Sequence, residues 1–319
     1  HFVSGYFLTF LWLPPAEDAA RAETWLYEGR EQSGVNPWEL MRGFIDRTDR
    51  VLALLDGFMP ECRWLDDAET LTYLHSTIST NRHRVRVPEV PMHLDALLAA
   101  REEGSRQIGG LLGIEGSHPL EGEIANVAKL HAAGYRLMGL HHFFDNELGG
   151  SFHGITGAGL SDFGKEALVE MERLGITIDV AHSSPAVVED VLALATKPIV
   201  LSHTGLRGAC DSPRNLEDDL AKRIAEKGGI IGIGYWPGAI CDSSPANVVR
   251  TIRYAIDLLG EDHVGLGSDY DGAVRTDFDT SELAVLTEEM RKANFTEEEI
   301  FKVMGGNVIR LFRENLPAE

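Results

Sequence analysis

Five residues that can bind a metal or move a proton each fall one or two positions after a short apolar run. They are Glu115 in IEGSH, His142 in LHHFFDN, His182 in IDVAHSS, His203 in VLSHTG and Asp269 in VGLGSDYDG. Taken singly, each has an ordinary reading as a satisfied structural residue. Taken together they do not, because packing alone would leave several costly imidazoles and carboxylates to bury. A shared metal centre accounts for the set. Three histidines and two carboxylates suit Zn²⁺, with Mn²⁺ or Fe²⁺ as alternatives, and the absence of a CxxC pair among Cys62, Cys210 and Cys241 excludes a thiolate site. Zinc lowers the pKa of a bound water from about 15.7 to roughly 7, so the expected chemistry is hydrolysis at neutral pH.

Such residues meet only if the apolar runs are strands whose carboxyl ends converge. Candidate strands are 108–114, 136–140, 176–180, 199–201, 230–234 and 264–267, separated by amphipathic stretches. This alternation predicts an α/β protein with a (β/α)8 TIM barrel, in which all strands open onto one mouth. Helix boundaries are legible as well: Gly134 and Gly175 close two helices, Pro185 and Pro245 open two more, and Thr296 with Glu299 forms a capping box. Residues 105–313 read as the barrel core and 16–104 as a helical insertion within a single domain, 1–319. The apolar run 2–13 reads as a further strand, which makes seven where a closed barrel needs eight. The first barrel strand is therefore expected to be missing from the visible chain.

Composition narrows the partners. The 319 residues carry 50 acidic and 29 basic side chains, a formal charge of −21 that repels nucleic acid and anionic membrane surfaces. Run 2–13 is too short for a membrane span and lacks the basic flank of a signal peptide, which favours a cytoplasmic setting on the visible chain. A Schiff-base aldolase would need a strand-end lysine, whereas Lys165 falls in a helix and Lys197 precedes a strand. The glycines from Gly265 to Gly272 resemble a phosphate loop, but Asp269 and Asp271 would repel phosphate.

The motifs IEGSH, LHHFFDN, IDVAHSS, LSHTG, ACDSPRNLEDD, VGLGSDYDG and MGGNVIRLF, in this order, resemble the renal (membrane) dipeptidase family of zinc peptidases. The likeness covers 105–313 and extends more loosely to GYFLTFLWLPP. It implies a dipeptidase with two zinc ions per chain, acting on small dipeptides as a homodimer. It further implies that Glu115 bridges the two ions and that His182 and His203 bind the more exposed one. His142 would touch substrate and steady the oxyanion, Arg214 would receive the dipeptide carboxylate, and Asp269 would shuttle the proton. Asn215 and Asp219 would shape the loop and the helix that follows, and Asp271 would be a turn residue. Cys210 and Cys241 fall where some relatives have a disulfide; in a cytoplasmic protein they would stay thiols.

The pattern departs from the family at one point. Members begin with a strand ending in His-x-Asp, which holds the more buried zinc, and that strand is the one expected to be missing here. His93-Leu94-Asp95 is a literal match, but it precedes a helical run and reads as its first turn; His1 is not counted as a ligand. Two other functions stand beside the dipeptidase reading: a metal-dependent amidohydrolase acting on an N-acyl amino acid or a β-lactam, and a noncatalytic barrel that has lost one metal site.

Overall fold

The computed structural model describes residues 85–86, 91–104, 108–270 and 274–317. Strand run 2–13, His1, Cys62, Asp271 and most of the 16–104 insertion lie outside the described residues. In chain order the described strands are β1 (Val85–Arg86), β2 (Ile108–Gly109), β3 (Leu112–Ile114), β4 (Tyr135–Gly139), β5 (Thr177–Asp179), β6 (Val200–Thr204), β7 (Ile230–Ile233) and β8 (Val264–Leu266). The helices are α1 (Pro91–Glu102), α2 (Ala125–Ala132), α3 (Asp162–Leu174), α4 (Pro185–Leu194), α5 (Asp218–Glu226), α6 (Pro237–Ile240), α7 (Pro245–Leu259), α8 (Ala284–Lys292), α9 (Glu297–Phe301) and α10 (Asn307–Asn315). β1 and β2 form a small parallel pair, and β3 to β8 pair consecutively and in parallel as one six-stranded sheet. Each strand of that sheet falls on an expected run; the run 108–114 divides into β2 and β3. Successive parallel strands joined through helices are the arc of a (β/α)8 barrel.

Every residue of β4, β5, β7 and β8 is buried, so these strands are mostly apolar instead of alternating, and their charged exceptions are satisfied: Arg136 donates to the His131 and Tyr135 carbonyls, and Asp179 accepts from the Ala181 and Ser202 amides. Closure of the arc also needs small residues. A Cβ on Gly232 would lie 2.0 Å from the Ser202 carbonyl oxygen, and one on Gly267 would lie 2.3 Å from the same atom. Glycine at both positions lets β6, β7 and β8 approach at the end that carries the site.

The helices follow their caps. The Ser161 hydroxyl accepts from the Gly164 amide to start α3, and Gly175, at φ 76°, ends it. Gly164, Ala167, Leu168 and Met171 make the buried stripe between those ends. Asn307 opens α10 and donates from Nδ2 to the carbonyls of Glu261 and Val264, at 2.7 and 2.8 Å, docking the helix on the start of β8. Leu311, Phe312 and Leu316 at its far end pack with Ile230, the first residue of β7, and with Leu94 of α1. This cluster places His93-Leu94-Asp95 on a helix at the amino-terminal end of the strands, opposite the mouth. Asp95 pairs there with Arg313, whose Nε donates at 2.8 Å. The stretch is helical as expected, but the helix begins earlier, at Pro91, so His93-Leu94-Asp95 lies inside it instead of preceding it.

The capping box at Thr296 and Glu299 is also present, and Glu299 accepts a double hydrogen bond from Arg253, at 2.5 and 3.1 Å. This pairing holds the Glu299 carboxyl down at about 2, below its ordinary 4.5. A carboxyl depressed on folding contributes stability in full above its ordinary value and loses it as the pH falls toward the folded one. Gln at this position keeps the capping box and removes the charge. Glu299→Gln is therefore expected to cost about 1–2 kcal/mol at neutral pH. Urea midpoints of parent and variant should converge between about pH 4.5 and pH 2.

Candidate metal centre

The strand ends bring the expected residues to one place. Glu115 follows β3, His182 lies three residues beyond β5, and His203 sits inside β6. His182 Nε2 is 2.9 Å and His203 Nε2 3.3 Å from the same carboxylate oxygen, Glu115 Oε1, and the two imidazole nitrogens are 2.9 Å apart. His142, after β4, places Nε2 3.8 Å from Glu115 Oε2. Glu115, His142 and His182 can offer ligand atoms within 4.8 Å of one another, but His203 approaches Glu115 more closely than His142 does. All four belong to the cluster.

Its electrostatics call for a cation. Glu115, His182 and His203 are 7%, 8% and 3% exposed. Burial pushes the Glu115 carboxyl up and drives both imidazoles well down, so each group is pressed toward its neutral form. Glu115 Oε1 is buried without a hydrogen-bond donor of proper geometry, although two imidazole nitrogens face it. Neutral imidazole lone pairs and an uncompensated carboxylate oxygen, crowded on one point, form the donor set that a divalent metal requires. The residues present fit such an ion.

Arg214 lies in the loop between β6 and α5, and its Nη2 donates to the His203 carbonyl at 3.4 Å and lies 3.5 Å from His182 Nε2. Burial lowers its pKa while the charges of Asp269 and Glu115 oppose that shift. Its guanidinium stands 6.0 Å from the Trp236 ring centre. Asn215 holds this loop in place, donating from Nδ2 to the carbonyls of Cys210 and Ala239, both at 2.8 Å. Cys210 and Cys241 are joined as a disulfide across the same point, the pairing that the family resemblance implies for some relatives. Asp219 sits apart, in the first turn of α5, and pairs with Lys222.

Asp269 follows β8 as expected. It and His182 are non-glycine residues at positive φ, 54° and 58°. The left-handed conformation costs a side-chain-bearing residue about 1 kcal/mol, and its occurrence at two site positions is typical of a functional mouth.

Several neighbours of the site had no sequence signal. Asp179 ends β5 and accepts from the Ala181 and Ser202 amides at 2.9 and 3.0 Å, and burial raises its carboxyl to about 6. Ser202 Oγ lies 2.9 Å from His203 Nδ1. His153 Nε2 lies 3.1 Å from His182 Nδ1, and burial and Arg214 bring its pKa down to about 3. His153 follows no strand, so the strand-end rule passes over it. Phe143 packs against His142 with ring centres 4.2 Å apart and the planes tilted by 46°, and stays 43% exposed at the mouth. Among the described residues no helix is long and apolar enough to cross a membrane.

Known proteins share this arrangement of chain. The profile of the membrane dipeptidase family, peptidase family M19, matches residues 66–318. An uncharacterized dipeptidase, C965.12, of Schizosaccharomyces pombe is 30% identical over 69% of this chain and 56% of its own length. Dipeptidase 3 of Mus musculus is 30% identical over 66% of this chain and 45% of its own. The chain thus spans about half the length of these curated relatives. Among solved structures, an amidohydrolase from Pseudomonas aeruginosa is 26% identical with a TM-score of 0.68, covering 77% of this chain and 83% of that one. A metallopeptidase from Rhodobacter sphaeroides, liganded with a phosphinate mimic of the dipeptide L-Ala-D-Ala, is 25% identical with a TM-score of 0.67 over 76% and 72%.

Proposed function

The chain belongs to the membrane dipeptidase family, peptidase family M19, and from that premise we propose that it hydrolyses the peptide bond of free dipeptides at a zinc centre. The observation that carries the reading is the convergence of His182 and His203 on one buried oxygen of Glu115. Glu115, His182 and His203 would hold zinc, with Glu115 shared between two ions. Zinc would supply Lewis acidity, which polarises a carbonyl and makes water ionisable near neutral pH. The solved relative that holds a dipeptide mimic supports a substrate of that size.

The chain's own groups divide the remaining work. The Asp269 carboxylate takes a proton from the attacking water and returns it to the peptide nitrogen as the C–N bond breaks, which leaves a free amine and a free acid. The His142 imidazole donates toward the oxygen on which charge develops. Arg214 receives the substrate's terminal carboxylate, for which a planar guanidinium is the best match. Binding of the free carboxylate by Arg214 together with the free amine near the metal would limit the substrate to two residues, which distinguishes a dipeptidase from an endopeptidase. We carry a homodimer as part of the same proposal, tested by sedimentation equilibrium.

Arg214→Met is expected to raise KM for dipeptides about 10- to 100-fold with a smaller change in kcat, the loss of one charge-assisted pair. Dipeptide amides, which lack the carboxylate, should be cleaved equally by parent and variant. An unchanged KM for free dipeptides would remove the carboxylate-reading role. The overall test is zinc content and dipeptide release from the full-length protein. About two zinc ions per chain with release support the reading. Absence of both favours the noncatalytic barrel.

A further inference from the structure

The two histidines that face Glu115 differ in what holds their second nitrogen. His203 Nδ1 is met by Ser202 Oγ, its own neighbour in β6, at 2.9 Å. His182 Nδ1 is met by another imidazole, His153 Nε2, at 3.1 Å, from a loop 29 residues away in sequence. We infer that His153 is a positioning residue, whose Nε2 lone pair accepts the His182 Nδ1 proton and so aims His182 Nε2 at the metal.

The loop that carries His153 is built to fix it. Asp145 Oδ1 accepts from the Ser151 amide at 2.7 Å, and Oδ2 from the Ile155 and Thr156 amides, both at 3.1 Å. One carboxylate thereby clamps both sides of His153. A Cβ on Gly154 would lie 1.7 Å from Asp145 Oδ1, so only glycine lets the turn close on that carboxylate. Ser151, 2% exposed, donates to the His142 carbonyl at 2.5 Å, lies 3.2 Å from the His182 carbonyl, and accepts the His153 amide at 3.1 Å. The Phe152 amide donates to the His182 carbonyl at 2.6 Å. Phe143 packs against both imidazoles, with ring centres 5.5 Å from His153 and 5.8 Å from His182. The loop is therefore stitched to the backbone of the residue whose side chain it orients.

An acceptor on the distal nitrogen of a ligating imidazole selects its tautomer, fixes its ring plane and raises its basicity, and losing such a partner typically weakens metal binding about 10- to 100-fold. Elsewhere a carboxylate or carbonyl often plays this part. Here a neutral imidazole does so without adding negative charge beside Glu115.

The inference rests on the metal reading of the site, and the experiment separates the two. Zinc affinity of the full-length parent, His153→Phe and His153→Gln would be measured by competition with a chromophoric chelator, beside circular dichroism. Phe preserves an aromatic ring without an acceptor, and the Gln amide oxygen can replace Nε2. The expected result is zinc binding about 10- to 100-fold weaker in His153→Phe and largely restored in His153→Gln. Equal affinity in parent and His153→Phe overturns the inference alone; a parent that binds no zinc overturns the metal reading and this inference with it. If His153→Phe does not fold, nitrogen-15 spectra of histidine-labelled parent decide. A His153 protonated at Nδ1 with a bare Nε2 supports the inference, and one protonated at Nε2 overturns it.

Discussion

Replacing Asp269 with Asn is expected to lower kcat for dipeptide hydrolysis about 10³-fold while leaving zinc content unchanged. Asn is the same shape and can hold the same left-handed backbone, φ 54°, which asparagine tolerates better than most residues. What it cannot do is carry a proton between the attacking water and the leaving nitrogen. Its neutrality also removes one of the charges that oppose the burial-driven shift at Arg214, so a modest rise in KM should accompany the loss. Elemental analysis beside single-turnover kinetics checks both halves. Loss of zinc in the variant would make Asp269 a ligand instead of a proton carrier.

Glu115→Gln should act in the opposite sense on the metal. The carboxylate is the shared focus of His182 and His203, and a neutral amide supplies neither its charge nor a second anionic oxygen. Zinc content is expected to fall below one ion per chain and activity by about 10³-fold or more. The metal-free proteins should reverse the order of stability. Burial raises the Glu115 pKa above its ordinary 4.5, so the ionised carboxyl is a cost to the metal-free fold that is absent below that value and grows as the pH rises. In the presence of a chelator at neutral pH, Glu115→Gln should therefore melt above the parent. Below about pH 4.5 the two should coincide. A variant that melts lower at neutral pH without metal would mean that the carboxylate is satisfied by the protein itself.

Much of this is legible in the amino-acid sequence. The runs that became β3 to β8 are mostly apolar because the sheet is buried nearly along its whole length, a pattern that local composition displays directly. The caps at Gly175, Pro185, Pro245 and Thr296 were readable because capping depends on residues only a few positions apart. Glu115, His142, His182, His203 and Asp269 stood out because parallel strands direct their carboxyl ends to one side whatever the details of packing. His93-Leu94-Asp95 was readable as helical because a helical run follows it directly.

The sequence by itself determined the type and order of the elements from β2 onward, the family, and the residue types that gather at the mouth, because those follow from period and topology; β1 falls in the stretch read as a helical insertion. Only the tertiary structure decided which nitrogen of each histidine faces Glu115, that His153 rather than a carboxylate backs His182, and that Arg214 is held against His203 by a loop tied through Asn215 and the Cys210 and Cys241 pair. Those outcomes depend on ring orientation and on hydrogen bonds between residues up to a few tens of positions apart. No periodicity encodes them; they exist only once the strands and loops have closed around one another.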